Sequence, residues 1–183
     1  MASKRNTGSP VEKFQCLSMV QGGGGMNRLE KILCPTDFSD GSLQALWAAT
    51  DIAARFEAEL YLIHVLPILP TLAAEPTFNF EVHHYQYLLQ EDAKKRLDAI
   101  ILDLKGKSVR ARAYVGLGDA ANEIVRVAQE QRIDLIVIAT YGKTGWRRLA
   151  FGSVTEKVVR LAPCPVLTVR GVEERTAAEK DAA

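Results

Sequence analysis

The sequence has 183 residues and a formal net charge of +1; 48% of its residues are hydrophobic and 25% are charged. This length supports one well-buried domain and is too short for two ordinary domains with separate cores. The composition argues against a disordered or membrane-embedded chain, and the near-neutral charge argues against nucleic-acid binding, which needs a dense basic face.

Two terminal segments are predicted to be flexible: a leader over residues 1–25 and a tail over residues 172–183. The leader mixes charged residues with Ser and Pro and ends in the run Gly22–Gly25, so its apolar content is too low to offset the entropy of ordering it. We therefore place the folded domain at residues 26–171. Met26 follows the glycine run directly, and translation from Met26, with the leader as a cloning or annotation artefact, is an open alternative.

Cellular location is predicted from the N-terminus and the cysteines. No apolar core follows the first five residues, so we expect no secretory signal. The most apolar stretch, Leu60–Ala74, is too short to cross a bilayer as a helix of about 20 residues. The cysteines are odd in number and lack CxxC spacing, which favours unpaired thiols in a reducing compartment: Cys16, Cys34 and Cys164. We expect a cytoplasmic protein.

From Lys31 onward, short apolar runs alternate with segments of helical period, which is typical of βαβ units. The five predicted strands are Lys31–Pro35, Ala58–Val65, Val109–Val115, Asp134–Thr140 and Pro165–Arg170. The four predicted helices are Asp40–Glu57 with Ser39 as N-cap, Val82–Leu104, a third from Asp119 after the turn Gly116–Gly118, and Gly152–Leu161.

Each predicted helix should bury one stripe of apolar side chains. The stripe of the first helix contains Leu46, Ala49, Ala53 and Phe56, and that of the second contains Leu89, Ala93, Leu97, Ile100 and Leu104. The third helix should bury Ile124 and Ala128, and the fourth Val154 and Val158. Continuously apolar strands and right-handed crossovers then predict an α/β fold: an open, doubly wound, five-stranded parallel sheet of order 3-2-1-4-5 with helices on both faces.

In such a sheet, ligands bind beyond the carboxyl ends of the strands where the winding direction reverses. Pro35, Thr36 and Asp37 follow the first strand and should face the tip of the fourth strand. The Asp37 carboxylate suits a ribose hydroxyl or an adenine amino group, and Val65, at the end of the second strand, could flank the base.

The loop after the fourth strand carries Gly142 and runs into the fourth helix at Gly152 and Ser153. A glycine-bearing loop that ends at a helix N-terminus offers unpaired N–H groups and a positive dipole end to an anion. The two glycines let the backbone approach phosphate oxygens closely, and the Ser153 hydroxyl adds a donor. The loop is therefore predicted to bind phosphate.

Several segments together resemble the universal stress protein family over roughly residues 27–171: Pro35-Thr36-Asp37, Ile63-His64-Val65, the Gly142 to Gly152-Ser153 spacing and Cys164-Pro165-Val166-Leu167. The resemblance implies a five-stranded α/β fold, a homodimer formed through the last strand (Val166, Leu167, Thr168 and Val169) and, for one subgroup, ATP binding. The family's ATP motif is Gly, two residues, Gly, nine residues, Gly, then Ser or Thr. This chain departs from it at the first glycine, where it has Ala139.

The resemblance implies a regulatory, non-enzymatic protein of the stress response that binds ATP, with or without Mg²⁺. No catalytic residue and no metal ligand is predicted. The predicted nucleotide site comprises Pro35, Thr36, Asp37, Val65, Ala139, Gly142, Gly152, Ser153 and Val154. A dimeric scaffold without nucleotide, a slow ATPase, and AMP or cyclic AMP as the ligand stay open as alternatives.

The remaining motifs are predicted to have structural rather than functional roles. A Walker loop is rejected because its first glycine would fall at Val137. The loop residues Lys143, Arg147 and Arg148 are treated as solvated basic residues outside the core site. His64 is predicted to be a hydrogen-bonded core histidine. The adjacent His83 and His84 point in different directions and are predicted to be solvated.

Overall fold

The computed structural model describes residues 29–70, 76–140 and 152–170. The predicted leader, the tail and the alternative start at Met26 lie outside these ranges, as does the loop between Thr140 and Gly152. The described part of the chain alternates strands and helices in the order βαβαβαβαβ that the sequence predicts.

The strands are β1 (Lys31–Pro35), β2 (Glu59–Leu66), β3 (Ala111–Leu117), β4 (Leu135–Ala139) and β5 (Val166–Val169). The helices are α1 (Asp40–Phe56), α2 (Pro76–Gly106), α3 (Ala120–Glu130) and α4 (Ser153–Leu161). All neighbouring strands pair in parallel, and the sheet has the order β3-β2-β1-β4-β5. The predicted doubly wound topology is confirmed.

Side chains alternate between two cores, one on each face of the sheet. In β1, Ile32 and Cys34 lie in a cluster with buried residues of α1 and α2. Leu33 lies in the opposite cluster with buried residues of α3 and α4. Helices therefore cover both faces, as the continuously apolar strands predict.

The start of α1 matches its prediction. The Ser39 side chain accepts a hydrogen bond from the Ser42 amide and so forms the N-cap, which satisfies one of the unpaired N–H groups of the first turn. The helix ends at Phe56, and Glu57 follows with a left-handed φ of 54°. Phe56 is 53% exposed, so its predicted burial was wrong: it is the last helical residue, where the chain turns away towards β2.

Most element boundaries differ from the predictions by one or two residues, and the start of α2 differs by six. Strand β3 continues through Gly116 and Leu117, because Val65 and Leu66 of β2 pair with them; the predicted turn is therefore confined to Gly118, whose φ of +123° requires glycine. Helix α2 begins at Pro76, six residues before the predicted start at Val82. Proline suits the first helical position, where no N–H is needed.

The two described cysteines are free thiols in different environments. Cys34 is fully buried, and burial raises the pKa of its thiol to about 12. Cys164 is half-buried, and burial together with the nearby Asp134 carboxylate raises the pKa of its thiol to about 11. Both thiols are therefore protonated at neutral pH, and the thiolate is the reactive form.

We predict that Cys34 resists alkylation in the native protein. Incubation with iodoacetamide at pH 7.5, followed by peptide mass spectrometry, should leave Cys34 unmodified while Cys164 reacts slowly. Unfolding in urea should expose Cys34 and make both thiols equally reactive, which provides the internal control. Rapid native labelling of Cys34 would contradict its place in the core.

Candidate functional site

The winding direction of the sheet reverses at β1. From β1 the chain crosses to β2 on one side, whereas β4 pairs with the other side of β1. Because the strands are parallel, the carboxyl ends of β1 and β4 lie at the same edge of the sheet. The predicted residues Pro35, Thr36, Asp37 and Ala139 are therefore brought to one edge, which is where doubly wound sheets bind ligands.

The tip of β1 is held by hydrogen bonds from both backbone and side chain. Thr36 is 5% exposed, and its amide donates to the Ile63 carbonyl of β2 at 2.9 Å. Its hydroxyl lies 3.0 Å from the Ser42 hydroxyl of α1 and accepts a hydrogen bond from the Phe38 amide at 3.0 Å. Thr36 is therefore buried, and its hydrogen bonds connect the tip of β1 to β2, to α1 and to the loop between β1 and α1.

Asp37 follows Thr36 in the chain and is half-buried. Its Oδ1 atom accepts hydrogen bonds from the amide of Ser39, at 3.0 Å, and from the Ser39 hydroxyl. Ser39, rather than Asp37, caps α1. The loop therefore orients the Asp37 carboxylate at the strand tip without using it as the helix cap.

On the neighbouring strand, Val65 is half-buried and packs against the core on the α3 and α4 face. It is the penultimate residue of β2 and pairs with Gly116 of β3. A Cβ atom at Gly116 would lie 3.3 Å from the Cγ2 atom of Val65 and 3.1 Å from the Glu123 carboxylate. Gly116 thus leaves room for both side chains near this edge.

At the tip of β4, hydrogen bonds join the strand end to the start of α4. The Thr140 carbonyl accepts from the Gly152 amide at 2.8 Å, and the Ala139 carbonyl accepts from the Thr155 hydroxyl at 2.7 Å. A Cβ atom at Gly152 would lie 3.3 Å from the Thr140 carbonyl oxygen, so glycine permits this close approach. The methyl group of Ala139 lies in the core on the α1 and α2 face, and Ala139 is 7% exposed.

Within the described part of the chain, we call the N-terminus of α4 open because no side chain caps it. Gly152 is its N-cap and provides no side-chain hydrogen bond. Ser153 is exposed and Val154 is 37% exposed, so the predicted burial of Val154 was wrong; Thr155 is buried in its place. The first N–H groups of a helix have no intrahelical acceptor and lie at the positive end of its dipole. This helix end can therefore receive an anion.

Gly142, which belongs to the predicted site, and the basic residues Lys143, Arg147 and Arg148 lie outside the described residues. The other predicted residues come from four places: the tips of β1, β2 and β4 and the start of α4. Within the described ranges, no three His, Cys, Asp or Glu side chains are grouped so that they could hold a metal ion.

The positions of the histidines agree with the structural roles predicted for them from the sequence. The Nδ1 atom of His64 lies 2.8 Å from the Thr36 carbonyl oxygen, so His64 is hydrogen-bonded, although it is half-buried rather than fully buried. His83 and His84 are exposed on α2. In the part of the chain that the structure describes, no helix combines the length and apolarity needed to span a membrane.

Three features of the site were missed at the sequence level. Thr155 ties α4 to β4, and Phe38 adopts a left-handed φ of 60° between Thr36 and Ser39. The Thr140 hydroxyl is buried without a hydrogen-bond partner in the described structure. A threonine in the first helical turn is a weak hint of a capping or bridging role; no sequence signal marks the other two.

The fold and the site geometry define a doubly wound α/β protein whose switch point is bordered by an open helix N-terminus. The chain belongs to the universal stress protein family, whose model matches residues 28–170. It is 38% identical to universal stress protein MJ0531 of Methanocaldococcus jannaschii over 80% of this chain and 85% of that protein.

A universal stress protein of Methanothermobacter thermautotrophicus is 48% identical over 78% of this chain and 96% of its own length. Among solved structures, UspA of Lactobacillus plantarum superposes with a TM-score of 0.70 at 27% identity, covering 78% of this chain and 99% of that chain. The resemblance stated from sequence motifs is thus confirmed at the level of family and fold.

Proposed function

We propose that this protein binds ATP at the switch point and acts as a regulatory module rather than as an enzyme. The observation that carries the proposal is the open N-terminus of α4, held beside the tip of β4 at the edge where β1 presents Asp37. Phosphate oxygens would accept hydrogen bonds from the first-turn amides and from the Ser153 hydroxyl.

The nucleoside would lie towards β1 and β2. The Asp37 carboxylate accepts hydrogen bonds only, and so suits a ribose hydroxyl or the adenine amino group. Val65 offers an apolar contact for the base, and Pro35 and Thr36 shape the strand end beneath it. Gly142 completes the proposed set from the loop before α4, and Mg²⁺ would be held by the phosphates.

Adenine nucleotides occur in other proteins of this fold. One universal stress protein, 21% identical to this chain with a TM-score of 0.55, has been solved in complex with cAMP. Another, from Archaeoglobus fulgidus, is 20% identical and has been solved in complex with dAMP. At this identity the likeness is one of fold, so these complexes support the class of ligand as a proposal and leave the choice among adenine nucleotides to experiment.

The replacement of a family glycine by Ala139 is compatible with this proposal. The Ala139 methyl group packs in the core between the sheet and the helices α1 and α2, and its carbonyl is already bonded to Thr155. A ligand at the edge of the sheet would therefore meet the backbone of this residue rather than its side chain. This reasoning favours nucleotide binding over the ligand-free scaffold.

Binding itself would supply the regulatory energy. A ligand that binds only the folded state stabilises it by RT ln(1 + [L]/Kd), which is about 4 kcal/mol for millimolar ATP and a micromolar Kd. We place this action in the cytoplasm during the stress response, where the free thiols of Cys34 and Cys164 fit a reducing environment.

We further propose a homodimer formed through β5 (Val166–Val169). This strand lies at an edge of the sheet, and its residues are only half-buried. The carbonyls of Pro165 and Val169 accept hydrogen bonds from the amides of Ile136 and Thr140, so the backbone groups of Val166 and Thr168 point to the opposite side, where no strand of the described residues pairs with β5. An edge of this kind is suited to pairing with a second copy.

The ATP proposal predicts opposite effects of Ser153→Asp on stability and on binding. An acidic residue in the first turn of α4 should stabilise the ligand-free protein by about 0.3–1 kcal/mol. The same charge should repel phosphate and weaken ATP binding by roughly tenfold or more. Urea unfolding and isothermal titration calorimetry would measure the two effects.

The matched control is Asn122→Asp, which adds the same charge to the first turn of α3. It should affect stability in the same direction and leave ATP affinity unchanged. Absence of ATP binding to the wild-type protein at millimolar concentration would contradict the proposed function. Equal loss of affinity in both variants would show that the effect arises from net charge rather than from α4.

For Ala139→Gly we predict a loss of stability of about 1 kcal/mol with ATP affinity unchanged within about twofold. The substitution removes a buried methyl group and introduces glycine into a strand, whereas the ligand would contact only the backbone. The same titration and unfolding measurements apply. A much tighter complex in the variant would show that the methyl group does obstruct the nucleotide.

Thr168→Pro should convert the homodimer into a folded monomer at micromolar concentration. Proline removes the N–H group that faces the free edge and is tolerated in edge strands. Thr168→Val retains that N–H group and should remain dimeric. Light scattering coupled to size-exclusion chromatography measures the mass, and circular dichroism verifies folding. A monomeric wild type, or a dimeric proline variant, would refute the β5 interface.

A further inference from the structure

A stack of three side chains joins helix α2 to the loop that carries Asp37. The guanidinium carbon of Arg96, on α2, lies 3.9 Å from the centroid of the Phe38 ring. The Phe38 ring also lies against the ring of His64, with a distance of 4.4 Å between their centroids and an angle of 36° between their planes. Phe38 is therefore in contact with a cation from α2 and an aromatic ring from β2.

The stack matters because Phe38 has an unusual backbone conformation. Its φ of 60° is left-handed, a conformation that is costly for a bulky side chain unless the surroundings stabilise it. Several contacts do so here, among them the packing of Phe38 against the core on the α1 and α2 face. The Phe38 amide donates to the Thr36 hydroxyl at 3.0 Å, and the ring is held by Arg96 and His64.

His64 extends the connection back to the strand tip. Its Nδ1 atom lies 2.8 Å from the Thr36 carbonyl oxygen, the residue before Asp37. The stack thus rests on the same tip of β1 that the hydrogen bonds of Thr36 hold. A change in the backbone dihedrals of Phe38 would therefore turn the peptide groups on both sides of it, including the one that follows Asp37.

We propose that Arg96 is a positioning residue for Asp37, acting through Phe38. By covering the Phe38 ring, its guanidinium stabilises the left-handed turn, and this turn places the Ser39 amide where it donates to Asp37 Oδ1 at 3.0 Å. The carboxylate then keeps one orientation at the strand tip. The consequence for ligand affinity rests on the proposed nucleotide site; the effect on the loop does not.

Arg96 is suited to this test because it is exposed, so its substitution should not unfold the protein. Arg96→Gln preserves helix propensity and removes the charge. Arg96→Lys retains a cation that can lie over the ring. Lys95→Gln removes a charge from the adjacent exposed position of α2 and serves as the control.

The first measurement is the rate of solvent exchange of the Phe38 and Ser39 amide protons in the ligand-free protein, by NMR. A cation–π contact near the surface corresponds to roughly two- to fivefold in an equilibrium constant. Arg96→Gln should therefore raise both exchange rates by about that factor, Arg96→Lys should restore them towards the wild-type values, and Lys95→Gln should leave them unchanged. The second measurement is the Kd for ATP, which should rise by a similar factor in Arg96→Gln alone.

Unchanged exchange rates in Arg96→Gln would overturn the positioning proposal, regardless of the Kd measured for ATP. Faster exchange with an unchanged Kd would also overturn it, because the loop would then move without consequence for the site. If the wild-type protein binds no ATP, the proposed function fails, and the exchange rates alone decide whether Arg96 positions Asp37. A failure of one proposal is therefore distinguishable from a failure of the other.

Discussion

The link between the end of β4 and the start of α4 is the constraint on which the site depends. The Gly152 amide bonds to the Thr140 carbonyl, and the Thr155 hydroxyl bonds to the Ala139 carbonyl. These two contacts use the carbonyls of Ala139 and Thr140, and among the described residues Ser153 and Val154 in the first turn of α4 are exposed. Glycine at position 152 suits this geometry, since a Cβ atom there would lie 3.3 Å from the Thr140 carbonyl oxygen, which is closer than most Cβ contacts.

The sheet topology determines what this helix end faces. With the order β3-β2-β1-β4-β5, β4 lies beside β1, so the open N-terminus of α4 and the Asp37 carboxylate belong to the same edge. One is a positive dipole end and the other an acceptor. A ligand that carries phosphate at one end and hydroxyl or amino donors at the other matches this arrangement. This match is the physical basis of the nucleotide proposal.

Much of this could be predicted from the sequence, because it depends on local pattern. The bounds of β1 matched the prediction, since a short apolar run between polar residues is readily seen, and Ser39 was correctly assigned as the cap of α1. The predictions failed where the extent or burial of a segment depends on the residues that pair with it or cover it. Strand β3 was misplaced because its extent is set by pairing with β2, and Phe56 and Val154 follow a helical period but lie at helix ends, where little covers them.

The finer structure of the site could not be predicted for the same reason. The left-handed Phe38 is stabilised by Arg96, which lies 58 positions away in the chain, and by His64 from another strand. No local signal marks such a turn in a phenylalanine. The bond between Thr155 and Ala139 likewise exists only once α4 is docked on β4. Residue types and spacing therefore predicted which residues meet at the carboxyl edge of the sheet, whereas the contacts among them arise from tertiary packing.

The central claim is that nucleotide binds at the carboxyl edge of the sheet. Titration of ¹⁵N-labelled protein with ATP tests it directly, because each amide reports on its own surroundings. The account predicts that the largest chemical-shift changes fall on Gly152, Ser153, Val154 and Asp37, with little change at Glu30 and Arg110 on the opposite edge. No shift changes at millimolar ATP, or changes centred on that opposite edge, would contradict it.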